Sequence, residues 1–151
     1  LANQTILARA FMDCMPALGV QFGVALTSPK WFEFLCGRML HNRRLPIPAW
    51  IKIQMSGEDH KVVVSTVGMT DFGVMELECN PSPLAIDPTL DVVQDVIGYL
   101  LNDGPILADG DTTSLESGKD GPLDGMIRVH HAPSFRSDVG TVYLLEFLSA
   151  H

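Results

Sequence analysis

Three stretches of the chain repeat apolar residues at spacings of three and four, the period of an amphipathic helix. In the first stretch, Pro16 predicts that the helix ends near Met15, because proline cannot continue a helix. The apolar positions of this first stretch are Leu7, Ala10, Phe11, Cys14 and Leu18. The pattern predicts that these side chains form the face that the helix buries.

The second and third helical stretches each begin with a capping residue followed by proline, a typical helix start. The two pairs are Ser28 with Pro29 and Asp87 with Pro88, and Gly104 predicts the end of the third helix. The apolar faces consist of Phe32, Leu35, Cys36, Met39 and Leu40 in the second helix, and of Leu90, Val93, Val96, Ile97, Leu100 and Leu101 in the third.

Strands are predicted in the remaining apolar or alternating segments, and turn-forming residues separate them. The predicted strands are 20–26, 50–55, 61–66, 74–79, 126–131 and 141–148; the predicted loops are 57–59, 81–88 and 115–124. This order favours antiparallel pairing, so the expected fold is α+β, a predominantly antiparallel sheet with about three helices packed mainly on one face. One globular domain over 1–151 is expected, and a missing N-terminal strand before Leu1 is an open alternative.

The composition indicates a packed protein that does not bind polyanions. The chain has 151 residues, of which 46% are hydrophobic, and a formal net charge of −8. That charge argues against nucleic acid and anionic membrane as partners, and no apolar run is long enough for a membrane span. Three widely spaced cysteines, Cys14, Cys36 and Cys79, are expected to be buried thiols, which indicates a cytoplasmic location.

The segment Asp109-Gly110-Asp111-Thr112-Thr113 allows three interpretations. A phosphatase nucleophile loop needs further strand–helix units after it, and only 38 residues follow Thr113. A cation site would use Asp109, Asp111 and Thr113, but Ser114 stands where a calcium loop needs glycine. The favoured interpretation is a tight turn in which Asp and Thr side chains accept hydrogen bonds from nearby backbone amides.

A polar sheet face is the other candidate site. Strand alternation places Glu76 and Glu78 on one side of their strand, and Arg128 and His130 on one side of another. Glu76, Glu78 and His130 are the candidate catalytic residues, a carboxylate base with an imidazole acid. The alternative, which we favour, is pairing of opposite charges on a solvated face.

Other sites have weaker signals. Met69 and Phe72, in the turn after a strand, and Arg128 are candidates for a binding surface, although such apolar residues are more often core. His130 and His131 point to opposite faces of a strand, so they cannot chelate one metal ion. No phosphate-binding or dinucleotide-binding loop is found, and no cofactor is predicted.

Two segments carry a resemblance to a known family. They are STVGMTDFGVMELEC, residues 65–79, and YLLNDGPILADGDTTSL, residues 99–115. In this order they resemble a bacterial family, the domain-of-unknown-function 4261 group. The order of motifs is more distantly similar to suppressor-of-fused-like domains. That resemblance implies a protein-binding module, in bacteria associated with toxin immunity, and a structural role for the Asp-Gly-Asp-Thr turn.

The expected function is therefore non-catalytic binding of another protein, with a homodimer as one form of that binding. The alternative is a small-molecule hydrolase or lyase that uses Glu76, Glu78 and His130. The two functions differ in an observable way. An enzyme needs a pocket where these three side chains reach one point, whereas an open sheet face favours the binding module.

Overall fold

The computed structural model describes residues 2–56, 62–82, 86–114 and 125–149. The chain divides into two compact units, Leu1–Lys52 and Ile53–His151. Two compact units can still fold and unfold as one domain, so the expectation of one domain stays a prediction. The predicted loops at 57–59 and 115–124 lie outside the described residues.

The first unit contains three helices and a small hairpin. Helix α1 (Ala2–Cys14) ends before Pro16, as predicted, and α2 (Pro29–Asn42) begins after the cap residue Ser28, whose Oγ accepts a hydrogen bond from the Trp31 N–H. Between them lie β1 (Val20–Phe22) and β2 (Ala25–Thr27), which pair antiparallel. A single strand over 20–26 was therefore wrong, because Gly23 takes a φ of 52° and reverses the chain there.

Helix α1 buries a different face from the one that its apolar residues predict. Leu7 and Phe11 are each 56% exposed, and Cys14 is exposed as well. The buried residue is Thr5, whose Oγ1 accepts a hydrogen bond from Trp50 Nε1 at 2.9 Å. The side chain that α1 buries most fully is thus polar, and hydrophobic periodicity could not predict it. The expectation of a buried thiol was wrong for Cys14 and is confirmed for Cys36 and Cys79.

A fourth helix, α3 (Ile47–Trp50), was not predicted. It has only four residues, and the prolines on either side of Ile47 hide it from periodicity. It takes Trp50 out of the strand predicted for 50–55. The core of this unit includes Phe32, Leu35 and Cys36 of α2 together with Trp50.

The second unit is built on a six-stranded sheet in the order β3-β4-β5-β8-β7-β6. The strands are β3 (Lys52–Ser56), β4 (Val62–Val67), β5 (Leu77–Ser82), β6 (Thr112–Ser114), β7 (Gly125–Pro133) and β8 (Thr141–Ser149). The pairs β4–β5, β6–β7 and β7–β8 are antiparallel, whereas β5 and β8 are parallel. The sheet is therefore mixed, and the predicted antiparallel sheet is only partly confirmed.

Helix α4 (Ile86–Asp103) buries part of its predicted apolar face in the second unit, whereas Leu90, Val96 and Leu101 are only half-buried. Val93, Ile97 and Leu100 are almost fully buried. The helix ends at Gly104, which has a φ of 87° and donates its N–H to the Leu100 carbonyl. Because α1, α2 and α3 belong to the first unit, the packing of the helices mainly on one face of the sheet stays a prediction.

Within the described part of the chain, no helix combines the length and the apolar character needed to cross a bilayer.

Substitution Ile97→Asp should unfold the second unit, because it buries an unpaired charge and removes a core side chain, at a cost of more than about 4 kcal/mol. The matched control is Asn102→Asp, which places the same residue at an exposed position of α4 and should cost under about 1 kcal/mol. Urea unfolding followed by circular dichroism measures both. Equal stability of the two variants would contradict the packing of α4.

Candidate functional site

Glu76 is a buried carboxylate surrounded by hydrogen-bond donors. It is only 5% exposed. Its Oε2 accepts from Thr66 Oγ1 at 2.7 Å, and its Oε1 accepts from the Gly68 N–H at 2.9 Å. The Thr70 N–H and Oγ1 add weaker contacts to Oε1, each at 3.4 Å. Because an ionised carboxylate only accepts hydrogen bonds, this all-donor environment suits it.

The network around Glu76 holds the short 3-10 turn Met69–Phe72 between β4 and β5. Gly68 and Gly73 flank the turn with φ values of 109° and 76°, which glycine adopts without strain. Met69 inside the turn is fully buried. The spacing Thr66, Gly68, Gly73 and Glu76 is thus explained by the construction of one turn.

Glu78 is 2% exposed and fixes a second segment. Its Oε1 accepts from Ser134 Oγ, and its Oε2 accepts from the Phe135 N–H at 3.1 Å. Next to them, Arg136 Nη1 donates to the Thr66 carbonyl at 3.2 Å. Hydrogen bonds therefore connect Thr66, the two glutamates and the segment that begins at Ser134 into one network, which we call the Glu76–Glu78 network.

The predicted solvated face was wrong for both glutamates. Alternation correctly places Glu78 opposite Leu77 and Cys79 in the sheet, but alternation contains no information on the loop that covers a face. Glu76 lies before β5 begins, and its donors come from the end of β4 and from the turn that follows β4. The described residues give both carboxylates structural donors. The catalytic role assigned to them stays a prediction.

His130 lies in a different network. Its Nε2 is 2.9 Å from Glu146 Oε2, and its Nδ1 is 3.9 Å from Asp109 Oδ1. Arg128 Nη1 is also 3.9 Å from the same Glu146 oxygen, so Arg128 and His130 do share one face of β7 as predicted. These side chains are half-exposed, and each such pair contributes at most about 1 kcal/mol. No shared hydrogen-bond partner joins His130 to Glu76 or Glu78 among the residues that the structure describes.

Glu146 was missed by the sequence reasoning, although a signal existed. It is the only acidic residue in the closing strand, and it alternates with the neighbouring apolar residues Leu145 and Phe147. The register pairs Glu146 with Arg128, which identifies its partner only after the sheet is known.

The Asp109–Asp111 turn covers the edge of β7. Asp111 Oδ2 accepts from the Ala108 N–H at 2.8 Å, as expected for an acidic turn residue. Asp109 Oδ1 instead accepts from the His131 N–H at 2.8 Å, and Gly110 N–H donates to the Val129 carbonyl. The turn leads directly into β6, a strand that was not predicted. Its carboxylate and backbone groups thus satisfy a sheet edge that would otherwise be open.

The cation interpretation of this turn has no direct support. Among the described residues, no group of three or more His, Cys, Asp and Glu side chains is arranged to hold a metal ion. Asp109 and Asp111 each use one oxygen for a backbone amide, and Thr113 is exposed. A cation site formed by these three residues stays a prediction.

Of the three predicted binding residues, Met69 is placed where no partner can reach it, because it is fully buried. Phe72 is half-buried, and the Arg128 side chain is 44% exposed. A role of Phe72 and Arg128 in binding stays a prediction.

An exposed aromatic and cationic surface on α2 was also missed. The rings of Trp31 and Phe34 stack with their centroids 5.1 Å apart, and the Arg38 guanidinium lies over the Phe34 ring at 5.9 Å. Trp31 and Phe34 are 47% and 50% exposed. We call these three residues the α2 face. Their spacing of three and four was visible in the sequence, on the side of α2 away from Phe32 and Cys36.

The two units carry charges of opposite sign. Residues 1–52 contain six basic and two acidic side chains, a net charge of +4. Residues 53–151 contain four basic and sixteen acidic side chains, a net charge of −12, and together these give the −8 of the chain. The α2 face therefore lies on the basic part of an acidic protein.

Comparison with protein families gives a match to part of the chain. Residues 65–135 match the family model of a domain of unknown function, DUF4261. The matched segment is just under half of the chain, and it contains the Glu76–Glu78 network except for Arg136, as well as the Asp109–Asp111 turn. Searches of curated proteins and of solved structures returned no match. The match supports the family resemblance and does not indicate a function.

Substitutions at Glu76 should separate its structural role from a surface role. Glu76→Ala leaves buried donors unpaired and should cost about 3 kcal/mol. Glu76→Gln should cost only about 1 kcal/mol. The glutamine carbonyl can accept a hydrogen bond from the Gly68 N–H, and its amide can donate to Thr66 Oγ1. The Thr66 hydroxyl can then donate to the Leu77 carbonyl, 3.3 Å away. The control Asp71→Ala removes an exposed acid of the same turn and should change stability by under about 0.5 kcal/mol. Denaturant unfolding checks this order, and a loss for Glu76→Ala no larger than for the control would refute it.

Substitutions in the Asp109–Asp111 turn should distinguish a sheet-edge turn from a cation site. Asp109→Asn keeps an acceptor for the His131 N–H and should be nearly neutral, whereas Asp109→Ala should cost about 1 kcal/mol. Gly110→Val should cost more than Gly110→Asn, because φ is 88° and asparagine tolerates that region better; a Cβ there meets no other atom within 4 Å.

Thermal melting with EDTA, Ca²⁺ and Mg²⁺ at equal ionic strength completes this test. Melting temperatures should agree in all three solutions. A rise of several degrees with either ion that Asp109→Asn abolishes would establish the cation site instead.

Proposed function

We propose that this protein is a non-catalytic binding module for another protein, and that its contact surface includes the α2 face. The observation that supports this most directly is the Trp31–Phe34 stack under Arg38, half exposed on the basic unit. Tryptophan and arginine are the residue types that contribute most often to binding hot spots.

The chemistry of the α2 face favours a partner with acidic and apolar groups. The +4 charge of residues 1–52 attracts an acidic surface and accelerates its association. Apolar side chains elsewhere in this unit are also exposed, among them Leu7, Phe11 and Leu26. Large exposed apolar residues in one small unit are typical of a surface that a partner covers.

Family-level inference agrees with this class of function. The order of motifs is similar to that of suppressor-of-fused-like domains, which bind proteins, and supports an interaction or immunity-like role in a bacterial cell. We also propose a cytoplasmic location. Burial raises the pKa of the Cys36 and Cys79 thiols, which keeps them protonated and unreactive, as suits reduced structural cysteines.

The rival function is a small-molecule hydrolase or lyase that uses Glu76, Glu78 and His130. One observation favours a catalytic role for His130. Its Nε2 contacts Glu146, a contact that can orient the imidazole as a general base or acid. Against it, Glu76 and Glu78 hydrogen-bond to structural donors, and the described cleft of the second unit is lined by Ile127 and Val129, on the other face of β7. Protein binding is therefore the better-supported proposal.

Two matched peptides test the proposal. One consists of Glu, Leu and Phe, and the other has Lys in place of every Glu. Because Trp50 is buried and Trp31 is exposed, a change in tryptophan fluorescence upon binding reports mainly on Trp31. We expect the acidic peptide to bind and the basic peptide not to bind.

Charge reversal Arg38→Glu should lower the affinity for the acidic peptide about tenfold. Phe34→Ser should lower this affinity as well. The control Lys52→Glu reverses an exposed charge outside the α2 face and should change affinity less than about twofold. Equal binding of both peptides, or equal effects of Arg38→Glu and Lys52→Glu, would overturn the proposal. Sedimentation of the wild type that shows a dimer abolished by Phe34→Ser would identify a second copy as the occupant and overturn the separate acidic partner.

A further inference from the structure

The second unit contains a cleft between α4 and the strands β6 and β7. Its volume is about 550 Å³, within the range of small-molecule sites. The apolar part of its lining comes mainly from Val92, Val96, Ile127 and Val129. Ile127 and Val129 are almost fully buried, so the floor of the cleft is part of the packed sheet.

Helix α4 has a second stripe of residues that faces this cleft. Val92, Asp95, Val96 and Tyr99 follow the spacing of three and four, and all four line the cleft. The core stripe Val93, Ile97 and Leu100 is offset from it by one residue. The helix therefore presents one face to the core and a neighbouring apolar face, interrupted by Asp95, to an open cavity.

The charged side chains that line the cleft are all acidic. Asp95 and Asp111 are its charged residues, and no basic side chain lines it among the residues described. Asp111 uses Oδ2 to accept from the Ala108 N–H, whereas no hydrogen bond of the Asp95 carboxylate is found within the described chain. The surrounding unit carries a net charge of −12, which raises the local concentration of cations.

We propose that this cleft binds a small organic cation, an ammonium or guanidinium group attached to an apolar body. The apolar body contacts Val96, Ile127 and Val129, and the cation lies at the rim near Asp95 and Asp111. Tyr99 at the same rim adds an aromatic ring that a cation can approach. Anions of the same size are excluded by the two carboxylates. This ligand site lies in the second unit and does not depend on the protein-binding proposal.

Three matched probes test the site, phenethylamine, phenethyl alcohol and hydrocinnamate, which share a phenyl body and differ in charge. Methyl NMR of Val96, Ile127 and Val129 reports binding at the floor. Phenethylamine should shift these methyl signals saturably, phenethyl alcohol should bind about fivefold more weakly, and hydrocinnamate should not bind. Added salt should weaken the binding of phenethylamine and not that of phenethyl alcohol.

Variants locate the charge and the cavity. Asp95→Asn should lower the affinity for phenethylamine about threefold and leave the affinity for phenethyl alcohol unchanged. Asp111→Asn, which keeps an acceptor for the Ala108 N–H, should act in the same direction. The control Asp91→Asn removes an exposed acid one turn earlier on α4, outside the cleft lining, and should have no effect on the site. Thr113→Trp should fill the cleft and abolish binding of both ligands.

The proposal is overturned if phenethyl alcohol binds as tightly as the amine, or if Asp91→Asn weakens the amine as much as Asp95→Asn. It is also overturned if none of the floor methyl signals moves at millimolar concentrations of amine. In that case the cleft is a packing defect of the edge strand and takes no cationic ligand.

Discussion

The construction of the second unit depends on one buried carboxylate. Glu76 can lie in the interior only because donors from Thr66, Gly68 and Thr70 replace the water that an acid would otherwise require. Those donors are brought together by a turn with positive φ at Gly68 and Gly73. The same turn sets where β4 ends and where β5 begins, and the Glu76 carbonyl accepts from the Tyr143 N–H, next to the parallel pair β5–β8. A local motif thereby determines the connection between distant strands.

This constraint explains which features the sequence could predict. Helix α2 and the end of α4 were predictable because Ser28, Pro29 and Gly104 act locally, through hydrogen bonds and allowed φ angles within a few residues. The burial of Glu76 and Glu78 was not predictable, because their partners include groups as distant as Ser134 and Phe135. An alternating strand pattern describes only the strand itself. It predicted a solvated face both for Glu78, which is buried, and for Arg128, which is half exposed.

The incorrect predictions in the first unit have a similar cause. The apolar stripe of α1 is real, but the helix buries another face, on which Thr5 accepts a hydrogen bond from Trp50. Periodicity identifies that a helix is amphipathic and cannot decide whether the apolar stripe meets the core or a partner. The same ambiguity hid the α2 face, since Trp31 at the start of a helix resembles a residue that packs locally. The strand β6 was hidden for another reason: three exposed residues, Thr112–Ser114, have no apolar pattern, and they form a strand because β7 offers them a paired edge.

Two of the acidic side chains, Asp109 and Glu76, have structural hydrogen bonds. Each accepts a hydrogen bond from a backbone amide, so removing either acceptor is expected to lower stability. Among the residues that the structure describes, two other surfaces carry the proposed binding groups. An aromatic and cationic surface lies on the basic unit, and an apolar cleft bordered by carboxylates lies on the acidic unit. Because the two units carry net charges of +4 and −12, we expect the two surfaces to favour ligands of opposite sign. A single acidic partner that binds the α2 face would be repelled from the cleft, and a small cation that occupies the cleft would be repelled from the α2 face. If both proposals hold, the segregation of charge along the chain would separate the two classes of ligand.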